Sequence, residues 1–191
     1  MIRKVVRKSS LKEHREIEQN LVYWLSRTPE ERVEAVEELR RQRHGNTIRL
    51  ERVARVIERN DVAYLIVGAH ALAYHGAPRY TGDLDILVQP NRQNAARILQ
   101  ALGAFGFDEL GLTQEDFAVP DKIVQLGVAP ERVDIITSLT GVSWKAAVFG
   151  SCAGHYGDIS VRYLGKGEFV RNKRALGRAK DLADIETLGA L

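Results

Sequence analysis

The sequence contains one cysteine, Cys152, and no Cys-x-x-Cys motif or Cys/His cluster. A lone cysteine cannot form an internal disulfide, so a small secreted scaffold held together by disulfides is excluded. A structural zinc site is not expected either, because such sites need four Cys or His ligands. This use of cysteine is typical of proteins in a reducing compartment.

Long apolar segments are also missing. No uncharged apolar run approaches the roughly 20 residues that a membrane-spanning helix needs. The first ten residues, MIRKVVRKSS, carry basic side chains but no apolar segment follows them, which argues against a signal peptide. We therefore predict a cytoplasmic protein with no membrane partner.

What is present is an ordinary globular composition of 191 residues, 45% hydrophobic and 28% charged, which suits one domain or one domain with an appendage. The net charge of +3 is unevenly distributed: residues 1–60 hold 15 basic and 10 acidic side chains, residues 61–161 hold 6 and 11, and residues 162–191 hold 7 and 4. An acidic middle between basic ends suits a carboxylate site flanked by cations for a phosphate-bearing partner. Charge that merely varies along a solvated surface explains the distribution equally well.

Residues 1–60 are predicted to form three amphipathic helices, as a helical arm or a small bundle. The first runs from about Ser10 to Leu25, and the third ends near Asn60. The second has the strongest start signal, because Thr28-Pro29-Glu30-Glu31 combines an N-cap, a proline at the first helical position and a capping-box glutamate, and it ends at Gly45. Its basic residues, including Arg40, are expected on a solvated face, with RNA or protein binding as the weaker alternative.

From Ala63 the pattern changes to short apolar strands separated by helices and glycines. Strands are predicted at 63–68, 82–88, 132–139 and 157–164, and helices at 69–76, 91–102, 143–149, 167–176 and 179–189. Residues 61–191 are therefore expected to form a single domain of alternating strands and helices.

Three acids stand on the predicted strands. Asp83 and Asp85 are two residues apart in one strand, so their side chains project from the same face and can meet at one point. Two such carboxylates repel each other unless a cation or a shared proton lies between them, and hard oxygen ligands favour Mg²⁺ or Mn²⁺. Asp134, between Val133 and Ile135, is a candidate third ligand.

A structural explanation of these acids stays open, because short acidic motifs are common. In it, Asp83 caps the turn after Gly82, Asp85 pairs with Arg79, and Asp134 marks an exposed strand face. The order of the elements favours a site instead. Gly68 closes a strand and opens a helix, where backbone N–H groups can hold an anion such as a triphosphate, and the acids follow on the next strand.

The segment VGAHALAYHGAPRYTGDLDILV (67–88) resembles the nucleotidyltransferase superfamily of the DNA polymerase β type, and most closely the minimal AbiE-type (type IV) toxin nucleotidyltransferases. The tail KRALGRAKDLADIETL (173–188) is similar to the Lys…Arg-x-Lys-Asp-x-x-Asp ending of that group. The resemblance covers about residues 61–191. It implies an α+β fold with a mixed β-sheet flanked by helices, here preceded by the all-helical segment 1–60.

The resemblance also implies roles for individual residues. Asp83 and Asp85 become the ligands of two Mg²⁺ ions, for which Mn²⁺ can substitute. Asp134 becomes the third acid, which binds the catalytic metal and helps to deprotonate the incoming hydroxyl. Gly68 and its neighbouring backbone become the phosphate cradle, and Lys180 a contact of the triphosphate.

Four further residues are candidates with open alternatives. Ala69 stands where the family has Gly or Ser, so one hydroxyl contact to the γ-phosphate is lost. His70 either replaces that donor or simply packs. Arg79 and Thr81 precede the acids, and Arg79 either contacts a phosphate or orients Asp85.

Asp184 of the tail is expected to form a structural salt bridge on its helix face, since it lies four residues after Lys180 and three after Asp181.

We therefore predict a Mg²⁺-dependent nucleotidyltransferase that moves NMP from an NTP to an RNA end or a protein hydroxyl, as a component of a toxin–antitoxin pair. The alternative is a non-catalytic protein that keeps the fold and binds a nucleotide or a partner. An antitoxin or a second copy is expected to bind through the N-terminal helices.

Overall fold

The computed structural model describes residues 16–45, 51–107, 111–128 and 130–190. The helices in these ranges are α1 (Glu16–Leu25), α2 (Pro29–His44), α3 (Glu51–Arg59), α4 (Gly68–Tyr74), α5 (Arg92–Ala104), α6 (Glu115–Ala118), α7 (Trp144–Phe149), α8 (Lys166–Leu176) and α9 (Ala179–Thr187). The strands are β1 (Tyr64–Ile66), β2 (Asp83–Val88), β3 (Ile123–Leu126), β4 (Arg132–Ile136), β5 (Cys152–Tyr156) and β6 (Ile159–Tyr163).

The six strands form one sheet in the order β3-β4-β2-β1-β6-β5. Strands β2 and β4 are parallel, as are β1 and β6, and the other neighbouring pairs are antiparallel. The sheet is therefore mixed and flanked by helices, which confirms the predicted α+β class. In the β2–β4 pair, Asp83 is opposite Arg132 and Asp85 is opposite Asp134.

The two faces of the sheet bury separate apolar clusters. Ile66 of β1 and Ile86 of β2 pack on one face together with residues of α3 and α5. Leu65 and Leu87 pack on the other face against α4 and α8. Each such buried side chain contributes about 1.5–3 kcal/mol to folding. Because side chains alternate along a strand, the acids of β2 project on the Leu87 side, toward α4 and α8.

Most of the predicted elements are present, and the capping box is confirmed. The N–H of Glu31 donates to Thr28 Oγ1 at 3.1 Å, and the N–H of Thr28 donates to Glu31 Oε2 at 2.8 Å. The helix ends before Gly45, which has φ +75°. The first predicted helix is confirmed from Glu16 on and the third from Glu51 on, and their earlier residues lie outside the described ranges.

Three elements were not predicted: α6 and the edge strands β3 and β5. In β3, Ile123 is 63% exposed, so the strand lacks the apolar alternation that a half-buried strand shows. The predicted strand 132–139 was too long, since β4 ends at Ile136.

The expectation that Arg40 belongs to a solvated face is wrong. Helix α2 packs against α4 and β5, and it buries Arg32, Glu37 and Arg40. The division of the chain at residue 60 stays a prediction. Within the described ranges, no helix combines the length and the apolarity needed to cross a membrane.

Candidate active site

Asp83, Asp85 and Asp134 converge at one point of the sheet. Each offers a carboxylate oxygen, and these oxygens all lie within 4.8 Å of one another. The parallel pairing of β2 with β4 causes this, because it sets Asp134 directly beside Asp85, with Asp83 two residues earlier on the same face. Asp134 is only 8% exposed, so the idea that it marks an exposed strand face is wrong.

The negative charge of this cluster is only partly neutralised. Burial raises the pKa of Asp85 to about 6, and the nearby carboxylates of Asp83 and Asp134 add to the shift. His70 and Lys173 act in the opposite direction but do not cancel it. A carboxylate held in this way is stabilised by any cation that enters the cluster.

Asp83 and Asp134, in contrast, have polar partners. The Thr81 hydroxyl and Arg132 Nη2 both donate to the Asp83 carboxylate. Arg132 Nε lies 2.9 Å from Asp134 Oδ1, and Gln125 Nε2 donates to both oxygens of Asp134 at 3.3 and 3.2 Å. Asp83 therefore does not serve as a simple turn cap, and Arg132 bridges the acids of the two strands.

Gly68 lies immediately behind the cluster. It is the first residue of α4 and has φ +57°, a conformation that residues with a side chain rarely adopt. A Cβ on Gly68 would lie 1.8 Å from Asp85 Oδ2, so the glycine is needed for the close approach of that carboxylate. The phosphate-cradle role is a separate function that stays a prediction.

The acids form one wall of a cavity of about 550 Å³. This volume lies within the range of small-molecule sites, about 300–1,000 Å³. The cavity is also lined by the predicted residues Gly68, Ala69, Arg79, Thr81 and Lys180.

His70 is the one predicted site residue that does not line the cavity. It is fully buried, with Nε2 3.3 Å from Glu37 Oε1 and its ring edge-on to Tyr156. Of the two roles considered for His70, the structure therefore shows packing.

The wall formed by α8, α9 and the loop before β2 is cationic. Arg79 Nε and Nη2 donate to Asp184 at 2.9 and 3.1 Å, and Lys173 Nζ lies 2.8 Å from Asp181 and 2.9 Å from Asp184. Arg178 also donates to Asp181, at 2.6 Å. Burial alone would raise the pKa of Asp181, but hydrogen bonds from Arg178 and Lys173 lower it to about 2. The buried acids of the tail thus hold the basic side chains in place.

Two predicted pairings are corrected by this network. Arg79 does not pair with Asp85, because its guanidinium is bound by Asp184. Asp184 is structural, as expected, but its partners are Arg79 and Lys173 and not Lys180. Lys180 lines the cavity, is exposed, and has no acidic partner within the described ranges.

Arg132 and Gln125 were missed as site residues. A signal for Arg132 was present, because it precedes Asp134 by two residues and therefore shares its face of the strand. Gln125 gave no such signal, since the strand that carries it was not predicted.

No family model matches the chain, and no curated protein matches it. Its structure is similar to the crystal structure of a "putative nucleotidyltransferase" from Thermotoga maritima, with a TM-score of 0.47 and 12% identity, over 73% of this chain and 88% of that one. A TM-score below 0.5 is too low to assign a family. The function is therefore inferred from the site itself.

Proposed function

We propose that the protein is a Mg²⁺-dependent nucleotidyltransferase that transfers NMP from an NTP to an RNA end or a protein hydroxyl. The observation that carries the proposal is the convergence of Asp83, Asp85 and Asp134 within 4.8 Å on the wall of a cavity that basic side chains also line, namely Arg79, Arg132, Lys173, Arg178 and Lys180. Carboxylates and cations lining one cavity suit a nucleoside triphosphate bound together with divalent metal.

The three acids fit a metal site. They supply only hard oxygen donors, which Mg²⁺ and Mn²⁺ prefer, and burial together with the neighbouring carboxylates raises the pKa of Asp85, a shift that a bound cation would oppose. In the proposal Asp83 and Asp85 hold two ions, and Asp134 joins them at the catalytic one. Paired ions in such sites stabilise both the attacking and the leaving oxygens of a phosphoryl displacement.

The cationic wall supplies the binding of the phosphates. Lys180 has no acidic partner in the described part of the chain, so its ammonium group is free to pair with the triphosphate. Arg79 and Arg178 are held by Asp184 and Asp181 at the rim of the same cavity. Backbone N–H groups in the first turn of α4 have no partner within the helix and complete the phosphate cradle with Gly68.

The reaction balances without a further co-reactant. The acceptor hydroxyl oxygen forms a bond to the α-phosphorus, the bond from that phosphorus to the oxygen bridging to the β-phosphate breaks, and pyrophosphate leaves. The hydroxyl proton passes to Asp134. Arg132, beside Asp83 and Asp134, keeps both carboxylates oriented toward the reacting atoms.

The proposal includes a toxin role, in which an antitoxin or a second copy binds the N-terminal helices. Helix α1 supports a protein contact because several of its apolar side chains face solvent, among them Val22, which is 69% exposed, and Leu25.

A second candidate function is nucleotide binding without turnover. Ala69 favours it, because this residue lines the cavity without the hydroxyl that would contact a γ-phosphate. In this case the fold and the metal site are retained while the positioning of the phosphates is too weak for transfer.

The test combines product formation with binding. The protein is incubated with each labelled NTP, Mg²⁺ and cell lysate, and ATP binding with Mg²⁺ is measured by calorimetry. Asp83→Asn and Asp85→Asn are the variants, and Asp158→Asn, an exposed acid outside the cavity, is the matched control.

A labelled product that needs Asp83 and Asp85 but not Asp158 supports the transferase. Tight binding of ATP without any product supports the second candidate, and the absence of binding overturns both.

A further inference from the structure

Helix α2 reaches the acid site through one buried arginine. Arg40 is 1% exposed, and its guanidinium faces two backbone carbonyls and the buried Glu37. Nη1 donates to the carbonyl oxygen of Thr81 at 3.5 Å, and Nη2 donates to the carbonyl oxygen of Pro130. A single side chain thus binds two loops that are far apart in sequence.

These loops lead directly into the two strands that carry the acids. Thr81 precedes Asp83 by two residues, and its hydroxyl donates to the Asp83 carboxylate. Pro130 precedes Arg132 by two residues, and Arg132 contacts both Asp83 and Asp134. Arg40 therefore connects the backbone two residues before Asp83 with the backbone two residues before Arg132.

Arg40 is itself fixed from the other side. Glu37, one turn earlier on α2, places Oε2 3.5 Å from Arg40 Nε. Its Oε1 accepts a hydrogen bond from the Tyr156 hydroxyl at 2.7 Å and lies 3.3 Å from His70 Nε2. A planar guanidinium can donate to two carbonyls in a fixed arrangement while its charge lies beside a carboxylate, which a lysine ammonium on a flexible stem cannot do with the same geometry.

We propose that Arg40 is a positioning residue of the acid cluster, through which the N-terminal helix α2 holds Thr81 and Arg132 against Asp83 and Asp134 and hence tunes the affinity for divalent metal. The inference rests on the proposed metal site. It assigns residues 29–44 a part in the chemistry of the later domain, although none of them touches the cavity.

The test measures Mn²⁺ affinity, by calorimetry and by the electron paramagnetic resonance of free Mn²⁺, together with the thermal unfolding temperature. The variant is Arg40→Lys, which keeps the charge. Substitution of residues that orient metal ligands commonly costs 10–100-fold in metal affinity, so the Kd for Mn²⁺ is expected to rise about tenfold or more.

Arg32 provides a matched control on the same helix. It is also buried and also donates to two carbonyl oxygens: Nε and Nη2 donate to that of Arg27 at 3.2 and 3.1 Å, and Nη1 donates to that of Tyr74. None of these carbonyls precedes an acid-bearing strand. Arg32→Lys is therefore expected to lower the unfolding temperature while the Kd for Mn²⁺ changes less than about twofold, because the cluster keeps its ligands and their orientation.

A second variant covers the case in which Arg40→Lys does not fold. The double variant Glu37→Gln/Arg40→Met removes the buried ion pair as a unit, and such replacements are often neutral or stabilising. It lacks the bonds to Thr81 and Pro130, so it is also expected to bind Mn²⁺ about tenfold more weakly.

The outcomes separate the inference from the function on which it rests. A wild-type protein that binds no Mn²⁺ overturns both the metal site and the role of Arg40. A wild-type protein that binds Mn²⁺, with folded Arg40 variants that bind it equally well, overturns the role of Arg40 alone. Equal weakening in Arg32→Lys and Arg40→Lys also overturns it, because the effect would then be one of general stability.

Discussion

The Cα of Gly68 and the carboxylate of Asp85 approach each other so closely that a Cβ on Gly68 would lie 1.8 Å from Asp85 Oδ2. Gly68 opens α4 and Asp85 lies on β2, so the contact joins the strand-to-helix turn to the acid cluster. The glycine and the acid therefore depend on each other: without a glycine at position 68, Asp85 could not point toward Asp83 and Asp134.

Replacing Gly68 by alanine is expected to weaken metal binding. The new Cβ displaces the Asp85 carboxylate, and alanine at φ +57° adds strain of about 1–2 kcal/mol. We expect Gly68→Ala to raise the Kd for Mn²⁺ by about tenfold or more. Calorimetry with Mn²⁺ and urea unfolding measure the two effects.

Gly167→Ala is the control, because a Cβ at Gly167 meets nothing within 4 Å in α8. It should leave Mn²⁺ binding unchanged and stabilise the helix by up to about 1 kcal/mol. Unchanged Mn²⁺ affinity in Gly68→Ala would show that Asp85 is not needed at its observed position.

Replacing Asp85 by asparagine is expected to stabilise the metal-free protein at neutral pH. The folded protein retains the Asp85 proton up to a pKa of about 6, while the unfolded chain releases it near 3.8. Between these values the native state binds more protons, so wild-type stability falls as pH rises, by up to about 3 kcal/mol in total. Asparagine carries no such charge. The stability of Asp85→Asn relative to the wild-type protein should therefore be up to about 3 kcal/mol greater at pH 8 than at pH 3.

Urea unfolding of both proteins at pH 3 and pH 8, in the presence of a chelator, measures this difference. The same variant should lose Mn²⁺ binding, so a gain in stability would accompany a loss of function. A stability difference between the two proteins that is the same at pH 3 and at pH 8 would mean that the pKa of Asp85 is not raised in the folded state.

Replacing Asp181 by asparagine should have the opposite effect. The pKa of Asp181 is lowered to about 2, so its stabilisation is complete above the unfolded value of 3.8 and is lost as pH falls toward 2. The substitution removes a buried partner of Lys173 and Arg178, and we expect a loss of about 3 kcal/mol at pH 7. Urea unfolding at pH 7 and at pH 3 measures it.

Asp158→Asn is again the control, since Asp158 forms a solvent-exposed pair with Arg55 and such pairs contribute at most about 1 kcal/mol. If Asp181→Asn and Asp158→Asn lower the free energy of unfolding equally at pH 7, the buried network of the tail does not stabilise the fold.

The sequence was informative wherever a local pattern decides the structure. The capping box at Thr28 and Glu31 defined the start of α2, and the spacing of Asp83 and Asp85 placed both acids on one face. The edge strands were missed because each has only one fully buried side chain, Leu126 in β3 and Tyr156 in β5, and the apolar Ile123 on the exposed face of β3 obscures the alternation.

Burial of charged groups was the other failure. Arg40 has the spacing of a solvated residue, but the Pro130 carbonyl that it binds lies 90 residues away in the chain. Its other partner, Glu37, is held by Tyr156, which lies 119 residues from Glu37. Helical periodicity contains no information about such distant partners. The same limit explains why Asp184 was assigned a neighbour on its own helix when its partners are Arg79 and Lys173.

Lys180 offers a test of the phosphate side of the cavity that is free of stability effects. Its side chain is exposed and, among the described residues, meets no acid, so Lys180→Gln should leave the unfolding temperature unchanged. Loss of one charge-assisted contact to the triphosphate, worth about 1.5–3 kcal/mol, should weaken ATP binding by roughly tenfold or more. Calorimetry with ATP and Mn²⁺ measures the affinity.

The matched control for Lys180 is Lys145→Gln, an exposed lysine of α7 outside the cavity. Because it removes the same charge from the protein, it corrects for any general electrostatic effect on ATP binding, which high salt would also suppress. Equal weakening by both substitutions would show that Lys180 acts only through net charge. Weakening confined to Lys180→Gln would support direct contact between the triphosphate and α9.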